Sequence, residues 1–159
     1  MGALFTIIAV LVTLVTVVVV GRNVLENTKT NNALSELETI RTNVISSFPG
    51  PNFTGLTNAY AEKAGIFPSN MIAGAVGAGN DVDPWAGTVS IAANATTSMF
   101  DVTFNNVPQD ACIAMAQYVS SDLAALKINA TAQTLPETAP AAAGACTSTP
   151  NTLVFTFAG

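Results

Sequence analysis

The first twenty residues, MGALFTIIAVLVTLVTVVVV, limit what this chain can become more than any other stretch. They hold no charge, no proline and one glycine, Gly2, and the first charged side chain is Arg22. A helix of that length covers roughly 30 Å, the thickness of a bilayer's hydrocarbon core. The run predicts a membrane span. A helix apolar on every side is equally at home inside a protein bundle, so both burials stay open. A cleavable signal peptide fits poorly, because the segment lacks a basic start, a short apolar region and a small-x-small cleavage site.

The anchor passes into a polar patch, ENTKTNN at 26–32. β-Branched and Asn residues there weaken helix propensity, and the reading is local unwinding. From Ala33 the pattern becomes amphipathic: Leu34, Leu37, Ile40 or Arg41, Val44, Ile45 and Phe48 recur every three or four residues. Glu38 and Arg41, three apart, are placed to pair on the solvent side for a few tenths of a kcal/mol. Pro49-Gly50-Pro51 should end the helix. The chain divides on this reading into an apolar helix, 1–24, its amphipathic continuation, 25–48, and one globular domain, 49–159. An unbroken rod of about 48 residues would be roughly 70 Å long.

Net charge is −5, and the five cations, Arg22, Lys29, Arg41, Lys63 and Lys127, stand singly. No basic cluster exists to neutralise phosphates, so specific nucleic-acid binding is not expected. Two cysteines, Cys112 and Cys146, and no histidine are present. An exported domain closed by one disulfide fits them, and two buried free thiols are the alternative. Two cysteines without histidine cannot build a zinc site of the usual kind, and no metal or cofactor is expected.

After the proline break a short helix is expected over 56–64, with Thr54 or Thr57 as cap and Gly65 at its end. Residues 74–84 read as a flexible loop; Gly74, Gly77 and Gly79 match no phosphate-binding spacing. Asn80, Asp81 and Asp83 lack the full calcium pattern, which leaves a solvated acidic turn. Trp85 reads as a core plug beside a sheet. Strand-like alternation covers 88–92, 99–104 and 152–157, and an antiparallel sheet with one buried face, covered by the long helix's apolar stripe, accommodates all three. Residues 108–119 read as a helix carrying Cys112, and 129–150, rich in Ala, Thr and Pro, as an exposed loop.

Several stretches together give the chain a resemblance: MGAL at the start, ALSELETIRTNV at 33–44, GLTNAYAEKAGIFPSNMI at 55–72, PWAGTVSIA at 84–92 and FDVTFNNVPQDACIAMA at 100–116. The chain resembles a type IV pilin of the b class, of the thin-pilus or conjugative-pilus, PilS-type group. The resemblance implies an α+β pilin fold: a long N-terminal helix packed on a small antiparallel sheet, with a C-terminal region bounded by Cys112 and Cys146. It implies processing by a prepilin peptidase and methylation at Met1. It further implies assembly of identical subunits into a helical filament through the first helix, Phe5, Thr6, Leu11 and Leu14 included. An assembly ATPase, a platform protein and a secretin are the implied machinery, with the inner membrane holding the subunit beforehand and an extracellular pilus afterwards. In pilins of this kind the fifth residue is usually glutamate, thought to pair with a neighbour's terminal amine; here it is Phe5. A buried amine without its acid is costly, and the Thr6 hydroxyl is the substitute acceptor within reach in sequence.

A major pilin is therefore the expected function. A minor pilin, a secretion-system pseudopilin and a membrane-anchored periplasmic binding module are the alternatives. Enzymatic activity is not expected, since there is no histidine and the carboxylates are isolated in sequence. The N-x-S/T matches at Asn52, Asn94 and Asn129 read as chance in Thr-rich loops.

Overall fold

The computed structural model describes residues 2–96, 98–147 and 150–159, with side chains described from Leu25 onward. Helix α1 (Gly2–Ser47) leads to α2 (Asn58–Lys63), β1 (Asp81–Val82), β2 (Thr88–Ala93), β3 (Met99–Val107), α3 (Gln109–Ala116), β4 (Leu123–Ile128), β5 (Thr131–Ala132), α4 (Ala139–Ala145) and β6 (Asn151–Ala158). The architecture is α+β, and its strands form one antiparallel sheet in the order β1-β2-β3-β6-β4-β5.

Alternation decides which face of the sheet is buried. Val89 and Ile91 of β2, Phe100, Val102 and Phe104 of β3, Leu153, Phe155 and Phe157 of β6, and Leu126 and Ile128 of β4 all enter the core. The register lines them up in rows: Phe100 faces Phe157, Val102 faces both Ile91 and Phe155, and Leu126 faces Phe155. Ala33, Leu37, Ile40 and Val44 of α1 complete the same cluster at zero exposure. The helix stripe is thus the lid of the sheet, as the spacing requires. Ile45, by contrast, is exposed, and Leu34 and Phe48 are half-buried.

Five expectations need correcting. The patch at 26–32 does not unwind: α1 runs through it, the Thr30 hydroxyl donates to the Glu26 carbonyl at 2.9 Å, and Thr30 itself is buried. Packing along that stretch outweighs propensity, which is a weak prior. The loop at 74–84 contains strand β1, and 129–150 contains β5 and α4 rather than loop alone. The sheet has six strands instead of three, β4 having given no sequence signal. Trp85 is only half-buried against the core and is no plug.

The short helix begins one residue after Thr57, whose hydroxyl accepts the Tyr60 N–H, and Gly65 follows its end at φ +68°. Gly87 sits where the backbone of β3 passes close by. A Cβ there would lie 1.8 Å from the Asn105 carbonyl oxygen, so no side chain fits.

Candidate functional site

The chemistry-bearing side chains of this chain gather where α1 meets the rest of the body, and they do fastening. At the sheet's β4 side, Arg41 lies two-pronged on Glu38, Nη2 to Oε1 at 2.6 Å and Nε to Oε2 at 3.2 Å, and also pairs with Asp122 just before β4. The Tyr118 hydroxyl donates to the same Glu38 carboxylate. Hydrogen bonds from Arg41 and then Tyr118 hold the Glu38 carboxyl below its ordinary range, and burial pushes the Tyr118 phenol up to about 12. The pair read from sequence as a helix-surface contact is therefore a four-membered link between α1 and the α3–β4 turn.

At the opposite side the fastening is different. The Trp85 indole N–H donates to Glu26 of α1 at 3.0 Å, Asn70 donates to Glu36 of α1 at 2.6 Å, and Asn43 of α1 donates to the Gly65 and Ile66 carbonyls. Asn58 replaces a missing strand: its amide donates to the Val89 carbonyl at 2.7 Å and accepts the Ile91 N–H at 2.7 Å, and it also reaches Asp81. The acidic turn expected to be solvated is buried instead. Asp81 and Asp83 are nearly inaccessible, and one Asp83 oxygen accepts the Trp85 and Gly87 N–H groups at 2.8 Å each, shaping the turn into β2. Burial raises the Asp83 carboxyl, and likewise that of Glu36. Among the described residues no three His, Cys, Asp or Glu side chains gather as metal ligands.

Cys112 of α3 and Cys146 at the end of α4 form a disulfide across 34 residues, with Cα atoms 6.0 Å apart and both side chains buried. Next to it, Asn151 at zero exposure organises the return into β6. Its amide donates to the Val107 and Thr147 carbonyls, and its oxygen accepts from the Thr147 N–H and from Asn129. Sequence reasoning missed Asn151, Asn58 and Tyr118, because a single polar residue carries no spacing signal.

Met1 lies outside the described residues, and so do the side chains of Phe5, Thr6, Leu11 and Leu14; only their place in α1 is given. Among the described residues no helix is long and apolar enough to cross a membrane. The family model described as PilS N terminal matches residues 26–158. The chain belongs to the PilS family of type IV pilins. No curated protein matches it. As a pilin it is a structural pilus subunit belonging to the cell-surface pilus, and family membership implies association with further subunits. The fastenings of this pilin suit a subunit that must hold its shape among others, because they tie the second half of α1 to the rest of the body on both sides.

Proposed function

We propose that this pilin is the major subunit of an extracellular type IV pilus, built into a helical homopolymer through its first helix and serving adhesion, conjugation or related surface functions. The observation that carries the reading is α1 itself. One unbroken element joins the uncharged run at the start of the sequence to the buried stripe Ala33, Leu37, Ile40 and Val44 beneath the sheet. Residues 1–24 act as membrane span and then filament core, 25–48 as the connecting helix, and 49–159 as the exposed head. Phe5, Thr6, Leu11 and Leu14 pack against neighbouring copies, and Met1 is the methylated terminus left by a prepilin peptidase. The subunit waits in the inner membrane with its head in the periplasm.

Moving an apolar helix from lipid into a protein bundle gains little, since lipid is as apolar as the bundle. Extraction therefore needs an external motor, and an assembly ATPase with a platform protein and a secretin supplies it. Identical head-to-tail contacts that do not close produce an open filament. Phe5 in place of a carboxylate favours a second reading, a minor pilin present in few copies. Cryo-electron microscopy of filaments sheared from expressing cells separates the two. A single repeating subunit with the first helices at the centre supports the major pilin; filaments lacking this chain, or containing it only sparsely, overturn it.

A further inference from the structure

Four carboxyl groups are buried around the turn into β2: Glu36, Glu62, Asp81 and Asp83, at 7, 3, 1 and 5% exposure. Each keeps one oxygen without a partner, namely Glu36 Oε2, Glu62 Oε1, Asp81 Oδ1 and Asp83 Oδ2. A buried, unpartnered carboxylate oxygen is costly, so something must neutralise it. For Glu62 and Asp81 the geometry says what. Asn58 and Glu62 stand one turn apart on α2 and Asn58 donates to Asp81, which brings the two carboxyls to the same place, while their other oxygens are occupied by the Gly77 N–H and by Asn58 respectively. One proton between the two carboxyls makes an O–H donor of one orphan oxygen and an acceptor of the other, and removes one of two like charges. A metal would need a third acidic or other strong ligand, and among the described residues none joins the pair.

We infer that Glu62 and Asp81 share a single proton, and that this shared proton is a latch closing the loop of residues 73–80 onto α2. Glu62 holds the loop's middle through Gly77, and the Asp81 carboxyl stands at its base, where the backbones of Ile72 and Asp81 bridge, the Ala73 N–H meets the Asn80 carbonyl and the Val82 N–H meets the Met71 carbonyl. The loop presents Val76 to solvent at 61% exposure, so the latch fixes how that apolar side chain is displayed.

Burial first, and the charge of Glu62 second, push the Asp81 carboxyl up to about 6, against the lowering hydrogen bond from Asn58. The folded chain therefore binds this proton more tightly than the unfolded chain does. The latch is strongest in mild acid and weakens as pH rises towards and through 6. Few other charges face the pair. On α2, Lys63 lays its stem against Gly77. Strand β2 and residues 73–80 hold no titratable side chain. Asp83 interacts instead with Glu36 and Lys29 of α1.

Hydrogen exchange on the detergent-solubilised full chain tests the latch, read at the Ala73, Gly77 and Val82 amides after correction for intrinsic exchange. Protection should fall on the order of tenfold or more between about pH 5 and about pH 7.5. In Asp81→Asn and Glu62→Gln, whose amides donate without needing the proton, it should stay nearly flat; either variant suffices if the other does not fold. Protection in the wild type that ignores pH would overturn the proposal, and so would an equal fall in both variants. Restoration of protection at the higher pH by millimolar calcium would also overturn it, by showing that a cation fills the place assigned to the proton.

Discussion

The sheet's two edges are both finished by strands of two residues, β1 on one side and β5 on the other, yet they are secured by opposite means. The β5 side has a covalent tie, Cys112–Cys146, backed by the Glu38–Arg41–Asp122 ion-pair link to α1. The β1 side has no covalent tie among the described residues and relies on the Asn58 amide, the Trp85 indole and buried carboxyls that each keep one oxygen unpartnered. The first kind of closure favours charge and tolerates unfolding of the segment it spans, because the bond limits how far the chain can stray. The second is reversible and sensitive to proton activity. One sheet thus carries a fixed edge and an adjustable one.

Removing the covalent tie should have the largest effect. Cys112→Ser with Cys146→Ser is expected to lower unfolding free energy by about 3 to 4 kcal/mol on the loop-entropy account, measured by denaturant titration, and to reduce surface pilus without altering membrane insertion. An unchanged midpoint and filament yield would mean that the fixed edge is fixed by packing alone. On the other edge, Asn58→Ala strands the Val89 carbonyl and the Ile91 N–H and removes a donor to Asp81, for an expected loss of about 2 to 3 kcal/mol. If the midpoint shifts by less than a third of that, water or a neighbour replaces the amide and the edge needs no such cap.

Trp85→Ala should cost about 2 kcal/mol, less than a fully buried tryptophan would, because the residue is only partly buried against the core. Trp85→Phe isolates the bond to Glu26 and should cost under about 1 kcal/mol; equal losses in the two variants would move the whole effect onto that bond. The smallest effect is expected for Arg41→Gln, about 0.5 kcal/mol at neutral pH, since the pairs it breaks are partly solvated. Its use lies in the sign. Glu38 has a lowered carboxyl, so its contribution is present above the usual carboxylate range and is lost as acid protonates it, whereas Asp81 contributes more as acid is added. As pH falls from neutral through about 6, protection should therefore rise at the Asp81 edge while the Glu38 edge stays flat, and the Glu38 edge should weaken only below 4.5. Parallel changes would abolish the distinction.

What could be foreseen from sequence was whatever repeats. Leu37, Ile40 and Val44, or Phe100, Val102 and Phe104, announce a buried face by their spacing alone, and the structure buries each of them. Strand β4, LAALKI, is two-sidedly bland, with alanines where alternation should show, and its place between β5 and β6 comes from pairing rather than pattern. Helix α4, APAAAGA, has helix-forming alanines but no apolar stripe, so nothing distinguishes it from a loop until Ala142 and Cys146 are buried. Asp81 and Asp83 misled for a related reason. Acidic residues in a Gly-rich stretch are usually solvated, and only the fold shows that α1 and α2 bring Glu36 and Glu62 up to them.

Strand β6 follows every other strand in chain order, yet it sits inside the sheet, between β3 and β4. Until Asn151–Ala158 has been made, β1-β2-β3 and β4-β5 have no strand to join them. Phe155 and Phe157 likewise remain absent from the core. A head built this way cannot mature piece by piece as it emerges. Its closing is a single late event: a chain still missing its last strand presents an open half-sheet, distinguishable from a finished subunit before it joins others.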